Sequence, residues 1–155
     1  MSLKKLLKFH KYALAWENYL LMARVIGAAL LVRRSLAEKA LSPHFPSSLN
    51  AVDQMYLPPQ PGWKISDPEK VALFASFAVN FPVVWGRCVQ QSLITYRLLN
   101  GYGIPAKICF GVKRDGASDD GHAWVVRLSD PDQALGEKSD PRERFKLVYT
   151  SPLPH

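Results

Sequence analysis

Apolar residues recur at helical spacing in three stretches of the first hundred residues. Residues 11–40 are dominated by Ala, Leu, Met and Arg, which favour helix, so the pattern predicts one long helix there, or two with a break near Gly27. The next stretch, "SPHFPSSLNAVDQMYLPPQPGW", holds five prolines. Proline ends helices and marks irregular backbone, so an irregular linker is predicted at 42–63.

A second helix is indicated by "SDPEKVALFASFAVNF". Ser66 and Glu69 have capping-box spacing, in which a hydroxyl and a carboxylate satisfy amide groups at the helix start. Pro68 suits the first turn, where its missing N–H costs nothing. Pro82 is predicted to end this helix.

The third predicted helix is "CVQQSLITYRLLN", residues 88–100. Val89, Leu93 and Tyr96 share one face by helical spacing. The members of a second, more polar face are Cys88, Gln91, Ser92 and Thr95. Gly101 and Gly103 are predicted to end the helix, as glycine does by adopting a left-handed turn.

Strand-like segments occupy the rest of the chain. "AKICFGV" (106–112) and "HAWVVRL" (122–128) are predicted to pair antiparallel across the polar turn "DGASDDG". The following segment is polar, with room for a short strand at 134–135, and "FKLVY" (145–149) is a further strand. Helices followed by a small antiparallel sheet define an α+β fold. We expect residues 1–62, the helical segment and linker, to form one compact domain with the core at 63–155.

The net positive charge of the chain raises the question of which anionic partners it binds. The chain carries a net charge of +7, and its cations concentrate towards the N-terminus as Lys4, Lys5, Lys8, Lys11, Arg33 and Arg34. No nucleic-acid module or stacking platform accompanies them, which argues against nucleic-acid binding. The apolar run "YLLMARVIGAALLV" is shorter than the roughly 20 residues that span a bilayer and is interrupted by Arg24. A core helix is therefore favoured over an interfacial one.

Two residues suggest a thiol nucleophile and its base. Cys88 follows Pro82 and Gly86 and opens a helix, where the backbone dipoles and free amides favour a thiolate. His122 opens a strand that could pack against that helix end, and an imidazole beside a thiol serves as base and then as acid. A third group commonly orients the imidazole. The candidates are Asp130, Asp132, Glu137 and Asp140.

The other reactive side chains have simpler interpretations. Cys109, between Ile108 and Phe110, is expected to be a buried core residue, and two cysteines do not make a disulfide framework. A reducing cytosol is the simpler compartment. No Cys/His cluster has metal-ligand spacing, and no glycine-rich lysine loop for phosphates is present. Trp124 is expected to be core or a pocket wall.

The residues that carry a family resemblance are "GRCVQQSLITYRLLNGYGIPAKICFGVKRD" followed by "HAWVV". In combination they resemble the transglutaminase-like cysteine proteases of lasso-peptide biosynthesis, the leader peptidases related to the microcin-processing protein. The resemblance extends from Trp85 to about Val148. The preceding helices suit the stand-alone form of this family, which lacks a fused leader-recognition domain.

The resemblance implies a papain-like fold of the transglutaminase type, with Cys88 as nucleophile and His122 as base. The family typically has an Asp as the third residue, and anchoring on "RERF" at 142–145 puts Glu137 at that position instead, with an enlarged turn. Asp130, Asp132 and Asp140 remain alternatives. We further expect substrate contacts from Trp85, Gln91 and Trp124.

The implied reaction is hydrolysis of one peptide bond, which removes the leader from a ribosomally made precursor. The implied partners are that precursor, a separate leader-binding protein and an ATP-using macrolactam-forming cyclase. The family is described as ATP-dependent, although the sequence has no nucleotide motif. A cytoplasmic location follows, with membrane contact through the N-terminal helix left open, although docking on a partner protein is favoured.

Two other functions stay open from the sequence. Acyl transfer to an amine uses the same acyl-enzyme and differs only in which nucleophile resolves it. A catalytically silent basic scaffold that holds an acidic leader or the cyclase would not need Cys88 at all.

Overall fold

A computed structural model describes residues 16–39, 52–80, 87–114 and 121–152. The main helices are α1 (Trp16–Lys39), α2 (Pro68–Ala78) and α3 (Arg87–Gly101). Residues 52–55 are also helical, which corrects part of the irregular linker predicted at 42–63, and residues 42–51 lie outside the described residues. The strands are β1 (Ala106–Lys113), β2 (Gly121–Arg127), β3 (Asp130–Ala134) and β4 (Phe145–Thr150), with a 3-10 helix at Pro141–Glu143 before β4. This order of helices and then strands confirms the predicted α+β class.

The four strands form one antiparallel sheet in the order β3-β2-β1-β4. β1 and β2 pair as predicted, with Cys109 opposite Trp124 and Gly111 opposite His122. β3 was expected only at 134–135, but it begins at Asp130 and pairs with β2 despite its polar sequence. The tight turn after Arg127 places Asp130 directly opposite that residue, so backbone pairing decides the structure here rather than side-chain hydrophobicity.

The sheet separates two apolar clusters by the alternation of its strands. Side chains such as Ile108, Phe110 and Val125 face the helices and join their core. The next residues along the same strands, Cys109 and Trp124, point to the opposite face and form a smaller cluster. Alternation of this kind follows from the two-residue period of a strand. His122 belongs by the same period to the face of Trp124.

Helix α1 buries one face in the core, and it continues through Gly27 without the break that was considered there. At Gly27, an added Cβ would meet no atom within 4 Å outside the adjoining residues and the backbone of its own helix. The residues of α1 that are buried in the main core are Leu21, Val25, Ala28, Ala29 and Val32. Its opposite side leaves large apolar residues exposed, namely Tyr19, Leu20, Ile26, Leu30 and Leu31. Across the described ranges, no helix has the length and apolarity needed to cross a membrane.

The start of α2 corrects the predicted capping box. The N-cap is Asp67, whose carboxylate accepts a hydrogen bond from the backbone N–H of Glu69 at 3.0 Å, and Pro68 is the first helical residue. Ser66 lies one residue too early to cap. The helix ends at Ala78, before Pro82, which lies outside the described residues.

The end of α3 also differs in detail from the sequence expectation. Gly101 is the last helical residue, and Gly103 alone adopts the left-handed conformation, with φ of 72°. The Ile104 N–H donates to the carbonyl of Leu99 at 2.9 Å, which closes the helix. Gly101 has a different role, in packing: an added Cβ would lie 2.7 Å from Leu57 Cδ2, so the Leu57 side chain would have to shift.

The corrected cap gives a first testable prediction. Asp67→Ala should lower the free energy of unfolding by about 1 kcal/mol, because an amide at the start of α2 loses its acceptor. Urea denaturation measures this change, and the slope of the transition should stay constant. Ser66→Ala is the matched control and should have an effect near zero. A larger loss of unfolding free energy from Ser66→Ala than from Asp67→Ala would instead support the capping box of Ser66 and Glu69.

Candidate active site

Cys88 is the second residue of α3 and is partly buried. Burial by itself raises the pKa of its thiol. Hydrogen bonds from His122 and from the backbone amides of Ala123 and Val89 outweigh burial, so the pKa of Cys88 is lowered from its ordinary value. The first turn of a helix has free N–H groups and the positive end of the helix dipole, which is where a thiolate is best tolerated.

A buried hydrogen bond fixes α3 against the strand that carries the histidine. The Ser92 hydroxyl donates to the backbone carbonyl of Ala123 at 2.9 Å. Ser92 lies one turn after Cys88, and Ala123 directly follows His122. The bond therefore holds the start of β2 beside the start of α3, and this brings the thiol and the imidazole together.

His122 has two polar partners. Its Nε2 lies 3.0 Å from Oε1 of Glu137, which leaves Nδ1 for the thiol. The hydrogen bond with Cys88 is the largest influence on the ring, followed by the hydrogen bond with Glu137, and together they raise the pKa of His122 from 6.5 to about 9. A lowered thiol pKa beside a raised imidazole pKa favours a thiolate and imidazolium pair near neutral pH.

Two aromatic rings flank the imidazole. The Phe145 ring centre is 5.0 Å from that of His122 with 23° between the ring planes, and the Trp124 centre is 6.1 Å away with 20°. Gly111 makes room for this arrangement, because an added Cβ would lie 3.0 Å from Trp124 Cη2, from Phe145 Cβ and from the carbonyl oxygen of Lys146. The stack restricts the ring to the plane in which both nitrogens reach their partners.

The three alternative acids are engaged elsewhere. Asp130 forms an ion pair with Arg127 at 3.2 Å, and Asp132 pairs with Arg142 at 3.4 Å. Asp140 accepts from Arg142 Nε at 2.8 Å, and that hydrogen bond lowers the pKa of Asp140. Of the four candidates, Glu137 is the one whose carboxylate reaches His122.

The cleft beside Cys88 has a volume of about 430 Å³ and a mixed polar and apolar lining. The polar face predicted for α3 borders the cleft. Gln91 lies on that face and is half-buried, so its side chain is placed where it could contact a substrate, as expected from the sequence. Trp124 is 1% exposed and packs beneath His122, so its position corrects the expectation of a direct substrate contact. Trp85 lies outside the described residues.

Cys109 differs from Cys88 in exposure and in the direction of its pKa shift. It is 5% exposed, and burial raises the pKa of its thiol. A buried thiol with a raised pKa is inert. Within the described parts of the chain, no group of three or more His, Cys, Asp or Glu side chains could hold a metal ion.

Sequence reasoning did not assign Ser92 and Phe145 a role at this site. Ser92 was placed on the same helix face as Cys88, and its hydroxyl four residues after the thiol was the signal for a role beside it. Phe145 carried no such signal. Its contact with His122 depends on β4 lying next to β1, on the side away from β2, and this pairing is not visible in the sequence.

The fold and the site together define an α+β protein with a cysteine at a helix start and a histidine and a carboxylate on neighbouring segments. A family model for the transglutaminase-like superfamily matches residues 24–150, and the chain belongs to that superfamily. Its members include cysteine proteases and acyltransferases. No curated protein and no solved structure matches the chain.

The electrostatics of the site predict selective alkylation of Cys88. Iodoacetamide should modify Cys88 with an apparent pKa below the ordinary 9.0 and leave Cys109 untouched in the folded protein. His122→Ala should raise the apparent pKa of Cys88. The substitution removes the imidazole that lowers this pKa, whereas burial, which raises it, remains. Mass spectrometry of the alkylated peptides across a pH series measures both. Equal labelling of the two cysteines would contradict this account.

The packing at Gly111 predicts a second effect on the thiol. Gly111→Ala should cost about 1–3 kcal/mol of stability, the usual range for overpacking, and should raise the apparent pKa of Cys88 by displacing the rings that hold His122. Gly121→Ala is the matched control, since its added Cβ would meet the carbonyl oxygen of Gly111 at 3.6 Å, an ordinary van der Waals distance. Thermal unfolding and alkylation together test this, and identical behaviour of the two variants would argue against it.

Proposed function

We propose that this protein is a cysteine endopeptidase that removes the leader from a ribosomally made lasso-peptide precursor. The observation that carries the proposal is that His122 bonds both Cys88 and Glu137 and that all three residues line one cleft. The substrate class comes from the resemblance of the segment around Cys88 and His122 to leader peptidases. Membership of the transglutaminase-like superfamily supports the thiol chemistry.

The first half of the reaction forms a thioester. The Cys88 thiolate attacks the carbonyl carbon of the scissile bond, and the carbonyl oxygen becomes an oxyanion. The amides at the start of α3 are suited to stabilise that charge, because the helix dipole favours an anion there. The His122 imidazolium then donates its proton to the departing amine, the C–N bond breaks, and the acyl group remains on sulfur.

The second half restores the enzyme. Neutral His122 takes a proton from a water molecule, whose oxygen attacks the thioester carbon. The C–S bond breaks, the leader leaves as a carboxylic acid, and the thiolate and imidazolium pair is restored. Glu137 accepts the hydrogen bond from Nε2 of His122 in both halves and so keeps that nitrogen a donor, which is the usual role of the third group.

The remaining expectations are part of the same proposal. The leader-binding protein and the cyclase would present the precursor to the cleft, whose rim includes the cationic residues Lys138 and Arg144. A reducing cytoplasm would keep both thiols free. No chemical step above consumes ATP, and the sequence has no nucleotide motif that fits it, so an ATP requirement would arise with the cyclase.

The direct test uses a lasso-peptide precursor and a leader-binding protein from the organism that makes this chain. Wild type should cut once between leader and core, and Cys88→Ala and His122→Ala should each abolish the cut, with mass spectrometry as the readout. Cys109→Ala is the matched control and should cleave normally. An uncut precursor with wild type, or a cut that survives Cys88→Ala, would defeat the proposal, and the latter would favour the binding scaffold.

The same assay separates hydrolysis from acyl transfer. Hydrolysis adds one water across the two products, whereas transfer joins the acyl group to an added amine such as glycine amide. We expect the hydrolysed leader to dominate in the presence of the amine.

The pKa shifts predict a bell-shaped pH profile for kcat/KM. Activity should rise with pH as the Cys88 thiolate forms, at a pH below the ordinary thiol value, and fall at about pH 9 as the His122 imidazolium loses its proton. Glu137→Gln removes a carboxylate that raises the pKa of His122, so the alkaline limb should move to lower pH. An unchanged alkaline limb in Glu137→Gln would show that Glu137 does not raise the pKa of His122 and has no part in the site.

A further inference from the structure

The segment that carries Glu137 is attached to the first turn of α2. Oε2 of Glu69 accepts a hydrogen bond from the backbone N–H of Gly136 at 3.2 Å. Oε1 of the same carboxylate accepts from Nε2 of Gln133 at 3.4 Å. One side chain on α2 thus holds two points of the segment immediately before Glu137.

The backbone at Gly136 is fixed by sterics as well. Its φ is 75°, in the left-handed region that favours glycine, and an added Cβ would lie 3.0 Å from Ala72 Cβ on α2. Leu135, the residue before it, is 3% exposed and its N–H donates to the carbonyl of Val125 at 2.9 Å. The chain therefore reaches Glu137 between α2 on one side and β2 on the other.

The contact of Glu69 with Gln133 continues into the sheet. Oε1 of Gln133 accepts from Arg127 at 3.1 Å, and Arg127 also bonds Asp130. Glu69 is thus the end of a polar chain that runs from β2 through β3 to α2. Neither the sequence pattern nor the family match assigns it any role beyond the start of a helix.

We propose that Glu69 is a positioning residue, which sets the Glu137 carboxylate at its hydrogen bond with His122. This inference rests on the proposed function of the Cys88, His122 and Glu137 site. Glu69 itself bonds Gly136 and Gln133 and acts on the imidazole through Glu137. Its loss frees the Gly136 N–H and lets Glu137 move away from Nε2.

The direction of the effect follows from the charges. Glu137 stabilises the imidazolium, and the imidazolium in turn stabilises the thiolate. Weakening the first contact should lower the pKa of His122 and raise that of Cys88, so the active pH window narrows from both sides. A side chain that served stability alone would leave both limits where they are.

The test compares Glu69→Ala with Glu69→Gln and with Glu143→Ala, which removes one exposed acid from the 3-10 helix. Glu69→Ala should raise the apparent pKa of Cys88 in alkylation, lower the alkaline limb of precursor cleavage, and reduce kcat on the order of tenfold with little change in KM. Glu69→Gln keeps an oxygen that can accept from Gly136 and should restore most of this. Glu143→Ala should match wild type.

A double variant makes the route of the effect explicit. If Glu69 acts through Glu137, adding Glu69→Ala to Glu137→Gln should shift the alkylation pKa no further than Glu137→Gln alone. An additive shift would overturn the inference, as would an unchanged profile in folded Glu69→Ala. Should Glu69→Ala fail to fold, Glu69→Asp keeps the charge but shortens the reach, and it should show the same direction of shift.

The alkylation readout also separates this inference from the proposed function. It needs no peptide substrate, so a shift in Glu69→Ala would support positioning even if the precursor stayed uncut. Precursor cleavage that requires Cys88, combined with an unmoved alkylation profile in Glu69→Ala, would instead support the function and overturn the role of Glu69.

Discussion

The site depends on the contact between the start of α3 and the start of β2, which the buried hydrogen bond from Ser92 to Ala123 fixes. The relative positions of the thiol and the imidazole depend on that contact. It places the Ala123 amide against the Cys88 sulfur and the imidazole of the preceding residue beside the thiol. A buried hydroxyl without a hydrogen-bond partner is costly. The bond from Ser92 therefore also disfavours packings of α3 against β2 in which this hydroxyl has no partner.

Burial acts on the two cysteines in the same direction but with opposite outcomes. For Cys109 burial dominates and keeps the thiol protonated. For Cys88 the imidazole and two backbone amides overcome burial. Partial burial strengthens these favourable contacts, because charges interact more strongly away from water. The protein thus obtains a reactive thiol by adding donors around a sulfur rather than by exposing it.

The elements that depend on local pattern were predictable from the sequence. The helices, the β1 and β2 hairpin and the placement of Cys88 at a helix start follow from periodicity, proline and glycine. The N-cap at Asp67, the polar strand β3 and the contact of Phe145 with His122 were not predictable, because each is decided by a partner distant in sequence or by a shift of one residue. The preference for Glu137 came from family resemblance. Sequence position alone did not distinguish the four acidic residues that could orient the imidazole of His122.

The way the chain reaches Glu137 has a consequence for how this protein can change. The anchors of the carboxylate, Leu135 and Gly136, both lie immediately before it. Residues 138 and 139 after it are exposed and join the next anchored point at Asp140. We expect insertions or deletions there to leave the distance from Glu137 to His122 unaltered, whereas one residue added between Gln133 and Gly136 should displace the acid. The cleft rim after Glu137 can therefore change in length and charge without altering the contact of Glu137 with His122.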